Sequence, residues 1–177
     1  IFPELNKPYT REAEYGSLIK LYEYRAQGFL SNILLPDGLL SRMELLLPEP
    51  ALPVRLHECR DYRGGAGSFD TTLTGISVRL SDDKAKNMEE GFPCSFQLKI
   101  RGQDLVGNIY AFKKDRAKTY RKNEGIIFVI NGQTHAMIGA GFFKNKSVGL
   151  GYIDEDLLVQ IDCSALDRRA QEELFMN

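Results

Sequence analysis

Residues 125–135, GIIFVINGQTH, decide how the second half of the chain folds, because they join an apolar run to an Asn-Gly pair. Residues 126–130 have the length and the β-branched content of a buried strand. Asn131 and Gly132 both tolerate a positive φ, and such a pair is typical of a tight hairpin turn. Local turn chemistry therefore predicts that the chain reverses here.

The residues that follow favour a different connection. Residues 134–146 carry apolar side chains at helical spacing, although two glycines within them each cost about 1 kcal/mol relative to Ala in a helix. Residues 156–162, DLLVQID, have the composition of a buried strand, and residues 166–176 predict a final helix. A helix between two strands pairs those strands in parallel, so a crossover connection competes with the hairpin.

A proline-rich stretch divides the first half of the chain. Residues 17–24, SLIKLYEY, predict a strand, and Asp37 is the expected N-cap of a helix over residues 39–47. Proline lacks the N–H donor and disfavours a helical conformation in the residue before it, so the helix should end at residues 46–53, LLPEPALP. We expect this stretch to separate two units. The expected units are residues 1–48 and residues 49–177.

Alternating apolar residues predict the strands of the middle region. These strands are expected over residues 54–60, 72–80, 96–100 and 105–112. A glycine-rich loop follows the first of them, and a turn at Gly102 should join the last two. The expected fold is α+β (mixed α/β), a mostly antiparallel sheet with a terminal β-α-β unit.

Composition excludes several classes of protein. The chain has 23 Lys and Arg against 24 Asp and Glu, so its net charge points to no particular partner. It contains no apolar stretch near the roughly 20 residues of a membrane span and no signal-peptide pattern. Cys59, Cys94 and Cys163 are odd in number and widely spaced, which favours buried, reduced thiols in a cytoplasmic protein.

A catalytic site of the Ser-His-Asp or Cys-His kind is not expected. Such a site needs a base beside the nucleophile. His57 alternates within a predicted strand, and His135 follows the Asn-Gly pair with no nucleophile elbow nearby. We therefore assign no catalytic residue and no metal ligand. The acidic pairs at residues 82–83 and 89–90 are expected to be solvated.

Two segments could bind anions. Residues 63–68, RGGAGS, could cradle a phosphate through backbone N–H groups, but a flexible hairpin loop is favoured because the segment lacks a P-loop lysine. Residues 113–122 form a basic run with Tyr120 among its cations, which could neutralise the phosphates of a nucleic acid. Its candidate residues are Lys113, Lys114, Arg116, Lys118, Arg121 and Lys122. A solvated loop, balanced by the acids of residues 81–90, is the alternative.

Two motifs, in this order, resemble the GHKL ATPase superfamily of gyrase, heat-shock chaperone ATPases, histidine kinases and MutL-type proteins. Residues 16–24, GSLIKLYEY, resemble the late G-T-x-I/V-x-L/V strand of the nucleotide-binding domain. Residues 128–134, FVINGQT, are similar to the F-V-N-G-R element of MutL-type transducer domains. In those proteins a helix and then an apolar strand ending in Asp follow, an order that residues 156–162 fit.

The resemblance implies a fragment of a longer ATPase: the last strands of a nucleotide-binding domain, then a transducer similar to the ribosomal protein S5 domain 2-like fold. Asn131 and Gly132 would then open a strand-to-helix connection, with Thr134 as its N-cap and His135 at the surface. Gly16 and Ser17 would lie near the phosphates of ATP. The expected phosphate-reaching cations are Lys144, Lys146, Arg168 and Arg169.

The same resemblance implies that ATP and Mg bind only in the full-length parent protein. The family's Asn for magnesium and its D-x-G-x-G motif are expected upstream of Ile1, so the isolated chain should catalyse nothing and hold no cofactor. Its implied partners are the missing ATPase domain, a nucleic acid and a second copy of the parent, but no membrane. The implied role is to couple ATP binding and hydrolysis to movement of a partner or nucleic-acid segment. A stand-alone nucleic-acid or protein binding module is the alternative.

Overall fold

The computed structural model describes residues 38–52, 54–58, 69–82, 84–100, 102–115 and 125–175. Their strands, in chain order, are Val54–Glu58 (β1), Phe69–Leu73 (β2), Cys94–Ile100 (β3), Gln103–Ala111 (β4), Gly125–Ile130 (β5), Gln133–Ile138 (β6) and Leu157–Asp162 (β7). Their α-helices are Leu39–Leu46 (α1), Ile76–Asp82 (α2), Lys84–Asn87 (α3) and Arg168–Phe175 (α4), and short 3₁₀ helices cover Ala140–Lys144 and Asp154–Asp156.

The main sheet has five strands in the order β3-β4-β7-β5-β6, and β1 pairs with β2 separately. Every pair is antiparallel except β5 with β7, which are parallel. The prediction of an α+β chain with mostly antiparallel strands is confirmed. The expected helix of the terminal β-α-β unit is wrong, because β6 and the two 3₁₀ helices connect the parallel strands.

The Asn-Gly pair forms a hairpin turn, so the strand-to-helix connection is wrong. Asn131 has a φ of 50° and Gly132 a φ of 78°, and Ile130 pairs directly with Gln133 across the turn. Two positive φ values match the twist of the flanking strands, which explains why local turn chemistry dominates here. Thr134 lies in β6 and is not a helix N-cap.

The strand expected over residues 72–80 is wrong beyond Leu73, because α2 begins at Ile76. Gly75, with a φ of 84°, ends the extended segment. Ile76 and Leu80 are buried one helical turn apart, whereas Val78 between them is 44% exposed. The alternating apolar residues therefore include an i, i+4 pair that a helix buries.

The other elements of the second half follow the sequence closely. β3 and β4 form the expected hairpin around Gly102, and β7 and α4 lie where a final strand and helix are predicted.

α1 ends before Pro48 as expected, but its N-cap position is Gly38, and Asp37 lies outside the described residues. Cys163 is buried as expected, whereas Cys94 is exposed, contrary to expectation.

Some predictions fall on residues that the structure does not describe. These are the strand at residues 17–24, the loop at residues 63–68, Cys59 and residues 116–122. The division into units at residues 48 and 49 stays a prediction. Within the described residues, no helix is long and apolar enough to cross a membrane.

Two apolar clusters hold the sheet and its helices together. The larger joins α1 and α2 to one face of the sheet and contains Leu45, Ile76, Leu80, Met88, Tyr110, Phe112, Ile127, Val129 and Leu158. The smaller contains Leu105, Ile130 and Cys163, with Leu166 packed against it from the segment that leads to α4. The larger cluster packs α1 against the sheet through Leu45, which places the end of α1 beside the candidate site.

Candidate functional site

The end of α1 and the residues after it, 47–50 (the proline junction), are held by hydrogen bonds from two sides. The Ser77 N–H donates to the Pro48 carbonyl at 3.3 Å, at the start of α2. The Glu49 N–H donates to the Gly132 carbonyl at 3.2 Å, at the tip of the β5–β6 hairpin. Thr134 Oγ1 donates to the Leu45 carbonyl at 2.6 Å. The junction is thus fixed to both α2 and the hairpin.

Two glycines allow this close approach. A Cβ atom on Gly75 would overlap the Pro48 carbonyl oxygen, and one on Gly132 would overlap the Glu49 carbonyl oxygen. Both glycines have positive φ values, which side chains disfavour on their own account. Backbone packs directly on backbone at both positions, which leaves the junction little room to move.

A buried polar network lies beneath the junction. The Tyr110 hydroxyl is hydrogen-bonded to Ser77, and Ser77 Oγ donates to Gln160 Oε1 at 3.2 Å. Burial raises the pKa of Tyr110, and the Glu49 carboxylate raises it further. The phenol therefore stays neutral at physiological pH, and through Ser77 it is linked to Gln160 of the central strand β7.

The network opens into a polar cleft of about 520 Å³. Its polar lining residues are Glu49, Ser95, Gln97, Asn108, Gln160 and Asp162. Ser95, Asn108 and Gln160 are neighbours across β3, β4 and β7, and Ser95 Oγ donates to Asn108 Oδ1 at 2.8 Å. No group of three metal-ligating side chains occurs in the described part of the chain. The cleft offers hydrogen-bonding side chains and two carboxylates, those of Glu49 and Asp162.

The structure brings some of the predicted cations to one edge of the sheet. β4 ends at Ala111, opposite Leu157, and β5 begins at Gly125, opposite Leu158, so these strand ends lie together with the start of β7 (the cation edge). Residues 113–115, the described start of the basic run, follow β4, and residues 139–156, which lead into β7, carry Lys144 and Lys146. Lys144 Nζ lies 3.1 Å from Asp154 Oδ2. Lys146 is exposed and has no ion pair among the residues that the structure describes.

The start of the basic run lies against acidic sequence. The Lys113 N–H donates to the Asn87 carbonyl at 2.9 Å, and the Glu89 N–H donates to the Ala111 carbonyl at 2.9 Å. Lys114 is exposed. Both bonds join backbone groups, so they position the start of the basic run, and its function stays a prediction. The candidates Arg116, Lys118, Arg121 and Lys122 lie outside the described residues.

Arg168 and Arg169 lie at the opposite edge, after the end of β7. Arg168 pairs with Glu172 at 2.9 Å and Arg169 with Glu173 at 3.1 Å, both one turn along α4. Such exposed pairs contribute about 0.3–0.5 kcal/mol each, so they restrain the guanidinium groups only weakly. The four phosphate-reaching candidates are therefore split between two edges. Gly16 and Ser17 lie outside the described residues.

The remaining candidates follow their predictions as far as they are described. His135 is exposed in β6, as expected. Glu89 and Glu90 are exposed, as expected for solvated acids. His57 lies in β1, opposite Asp70.

Sequence reasoning missed the polar network and the two junction glycines. Gln160 interrupts the apolar run DLLVQID, and a polar residue in a buried strand signals a buried partner. Gly75 lies inside the strand predicted over residues 72–80, where an isolated glycine signals a close approach of another backbone segment. The partners themselves, Ser77 and Pro48, are distant in sequence, so no local pattern identifies them.

Comparison of the chain with protein-family models, curated proteins and solved structures found no significant match.

Proposed function

We propose that this chain is the transducer part of a GHKL-type ATPase, which couples nucleotide state to movement of a partner or of a nucleic-acid segment. The proposal includes the finer fold, a variant of the S5 domain 2-like arrangement in which a hairpin strand replaces the usual crossover helix. The order of the two motifs in the sequence and the parallel pairing of β5 with β7 support it.

The proline junction carries the proposal. A transducer must convert displacement of one unit into displacement of another, which requires a stiff connection between them. The backbone contacts of Pro48 and Glu49 with α2 and with the β5–β6 hairpin supply such a connection. A force on α1 would therefore reach the sheet without being absorbed in a flexible linker.

Lys146 is the cation best placed to sense a phosphate on this proposal. Lys144 would have to leave Asp154, whose side chain is only 11% exposed, whereas Lys146 gives up no ion pair within the described residues. ATP and Mg would bind in the preceding nucleotide-binding unit and supply the charge that the lysine senses. A cation that binds only the ATP state stabilises one arrangement of the two units, and hydrolysis removes that preference.

ATP turnover and nucleotide binding by the isolated chain test the proposal. Both should be absent, because the chain supplies neither an adenine site nor a magnesium ligand of the family. In a protein that joins this chain to its nucleotide-binding unit, Lys146→Ala should reduce turnover, whereas Lys99→Ala, an exposed lysine at the opposite edge, should not. Substantial turnover by the isolated chain, or equal effects of the two substitutions, would contradict the proposal.

A second candidate function, a nucleic-acid-binding module, is favoured by one observation. Lys113 and Lys114, at the start of the basic run, follow the end of β4, which pairs with the start of β7. Lys144 and Lys146 lie in the segment that leads into the same end of β7. Reversing the charges of Arg121 and Lys122 should weaken binding to duplex DNA. It should also reduce the slope of log K against log salt concentration by about one unit for each phosphate that is no longer neutralised. Lys99→Glu is the matched single control for Lys122→Glu. If the chain does not bind duplex DNA at low salt, this candidate is rejected.

A further inference from the structure

The two outermost strands of the five-stranded sheet, β3 and β6, differ in how they are protected. Unprotected edge strands recruit further strands, and proteins block them with bulges, charges or covering elements. β6 has a bulge where Phe128 and Val129 face it, and α1 is bonded to its first half, where Thr134 Oγ1 donates to the Leu45 carbonyl. β3, the other edge, pairs with β4 over seven residues in unbroken register. It carries a single charge, on Lys99.

The free side of β3 presents backbone hydrogen-bonding groups. Ile100 and Gln103 close the two-residue turn to β4, so the groups of Ile100 are directed towards β4. Alternate residues of a strand direct their N–H and C=O groups to opposite sides. The N–H and C=O groups of Ser95, Gln97 and Lys99 are therefore directed away from β4. Within the described residues no strand pairs with them.

The side chains of β3 separate into an apolar and a polar row. Cys94, Phe96, Leu98 and Ile100 share one face of the sheet, and the polar residues between them share the other. Leu98 is 44% exposed and Ile100 is 51% exposed. A strand added at this edge would be accommodated best if it continued both rows.

We propose that β3 of a second copy of this chain occupies this edge, antiparallel, with the two-fold axis at Gln97. Phe96 of each copy then lies opposite Leu98 of the other, and Cys94 opposite Ile100, so every apolar pair falls on one face. The outward backbone groups form about six hydrogen bonds, two for each pair of facing residues. The interface is isologous and joins two sheets into one continuous sheet.

Charge and register both favour this arrangement. Each Lys99 lies opposite Ser95 of the other copy, and the two lysines are about 13 Å apart along the strands, beyond the Debye length at physiological salt. Each lysine also lies 4.0 Å from Asp104 of its own chain. A slide that brings Pro93 into the ladder loses hydrogen bonds, because proline has no N–H. A register shift by one residue would place apolar side chains of one copy opposite polar side chains of the other.

Single cysteine substitutions on β3 test where the two-fold axis of the proposed dimer lies. Facing residues of an antiparallel pair lie about 5.5 Å apart between Cα atoms, within the range of a disulfide, whereas about 13 Å is far beyond it. In the full chain with Cys59 and Cys94 replaced by Ser, Gln97→Cys should give a disulfide-linked dimer under mild oxidation. Lys99→Cys, two residues along the same face of the strand, should stay largely monomeric. Equal cross-linking of the two variants would overturn the proposed axis.

Sedimentation of the full chain gives an independent test. It should have twice the monomer mass at tens of micromolar. Gln97→Pro removes only an outward N–H, which an edge strand tolerates, and should restore the monomer, whereas Gln97→Val should remain dimeric. A monomer that loses thermal stability on Gln97→Pro would show that another segment of the same chain occupies the edge. That result, or a monomer unaffected by the substitution, would overturn the proposal.

Discussion

Gly132 combines two requirements that only glycine meets. Its φ of 78° completes the hairpin turn, and its missing side chain lets the Glu49 carbonyl approach. The same residue accepts the hydrogen bond from the Glu49 N–H through its own carbonyl. The hairpin turn is therefore also the contact surface for the proline junction, so turn geometry and docking are linked at one residue.

Gly132→Ala should destabilise the protein by about 3 kcal/mol, because left-handed strain adds to a backbone collision and a weakened hydrogen bond. Gly102→Ala is the matched control. Gly102 also has a positive φ, 84°, but a Cβ there would meet nothing within 4 Å. The control should cost only about 1 kcal/mol. Urea unfolding of both variants measures the difference, and equal losses of stability would show that Glu49 does not pack tightly against Gly132.

Cys163 should make stability fall at alkaline pH. Burial raises the pKa of its thiol from 9.0 to about 11, and the Asp162 carboxylate adds to the rise. Between these two values the unfolded chain loses the proton while the folded chain keeps it, so the free energy of unfolding decreases as pH rises. Cys163→Ala should remove this part of the slope. Unfolding free energies of both proteins between about pH 8 and pH 11, under reducing conditions, should converge as pH increases; parallel curves would contradict the assignment.

At the scale of elements, Asp167 both caps α4 and bonds it to the sheet. Asp167 Oδ1 accepts from the Ala170 N–H at 2.8 Å and caps the helix. The Gln103 side chain of β4 bonds Asp167 twice, through Nε2 to Oδ2 at 2.5 Å and from the Asp167 N–H to Oε1 at 3.1 Å. Capping and docking of α4 therefore depend on the same carboxylate.

Asp167→Ala should fray α4, at a cost of about 1 kcal/mol for the missing cap, and should loosen its packing against β4. Gln103→Ala should weaken only the packing, because the cap remains. Hydrogen exchange over residues 168–175 distinguishes these effects: protection should fall most for Asp167→Ala and less for Gln103→Ala. Asp167→Asn keeps an acceptor oxygen and should retain most of the protection. If Asp167→Asn reduced protection as much as Asp167→Ala, the cap would not be the determining interaction.

The elements that were predictable are those whose local pattern has one interpretation. β3 and β4 alternate cleanly on both sides of Gly102, and β7 is a short apolar run. The region around α2 has two interpretations, since its apolar residues satisfy alternation and an i, i+4 pair at once. Only the burial of Ile76 and Leu80 against the sheet decides between them. At Asn131 and Gly132, local turn chemistry was correct and the longer-range argument for a helix was not.

At the scale of the whole molecule, the candidate site could be predicted only in part. Cationic side chains are visible in the sequence, but which edge of the sheet each one reaches depends on strand order. Lys146 and Arg168 are 22 positions apart in the chain and lie at opposite edges, because β7 runs between them. The proline-rich stretch is predicted as a boundary between units, and that division stays a prediction. The hydrogen bonds of the junction with Ser77 and Gly132 come from distant segments and could not be predicted from composition.

The same hydrogen bonds predict that α1 unfolds together with the sheet. Leu45 is 4% exposed and belongs to the cluster that includes Ile127 and Leu158 of the central strands. Leu45→Ala should therefore lower the free energy of unfolding by about 2–4 kcal/mol, through reduced apolar burial and the cavity left behind. The sheet and α1 should unfold in one transition, which near-UV absorbance of the tyrosines and far-UV circular dichroism would report at the same denaturant concentration.

Leu46→Ala is the matched control, because Leu46 is adjacent in the same helix but 51% exposed. Its substitution should change stability by less than about 0.5 kcal/mol. If residues up to 48 formed a unit independent of the sheet, Leu45→Ala would leave the unfolding of the sheet unchanged and the two probes would separate. A large, shared loss of stability for Leu45→Ala and a negligible one for Leu46→Ala would instead place the cooperative boundary before α1, as a stiff connection from α1 to the sheet requires.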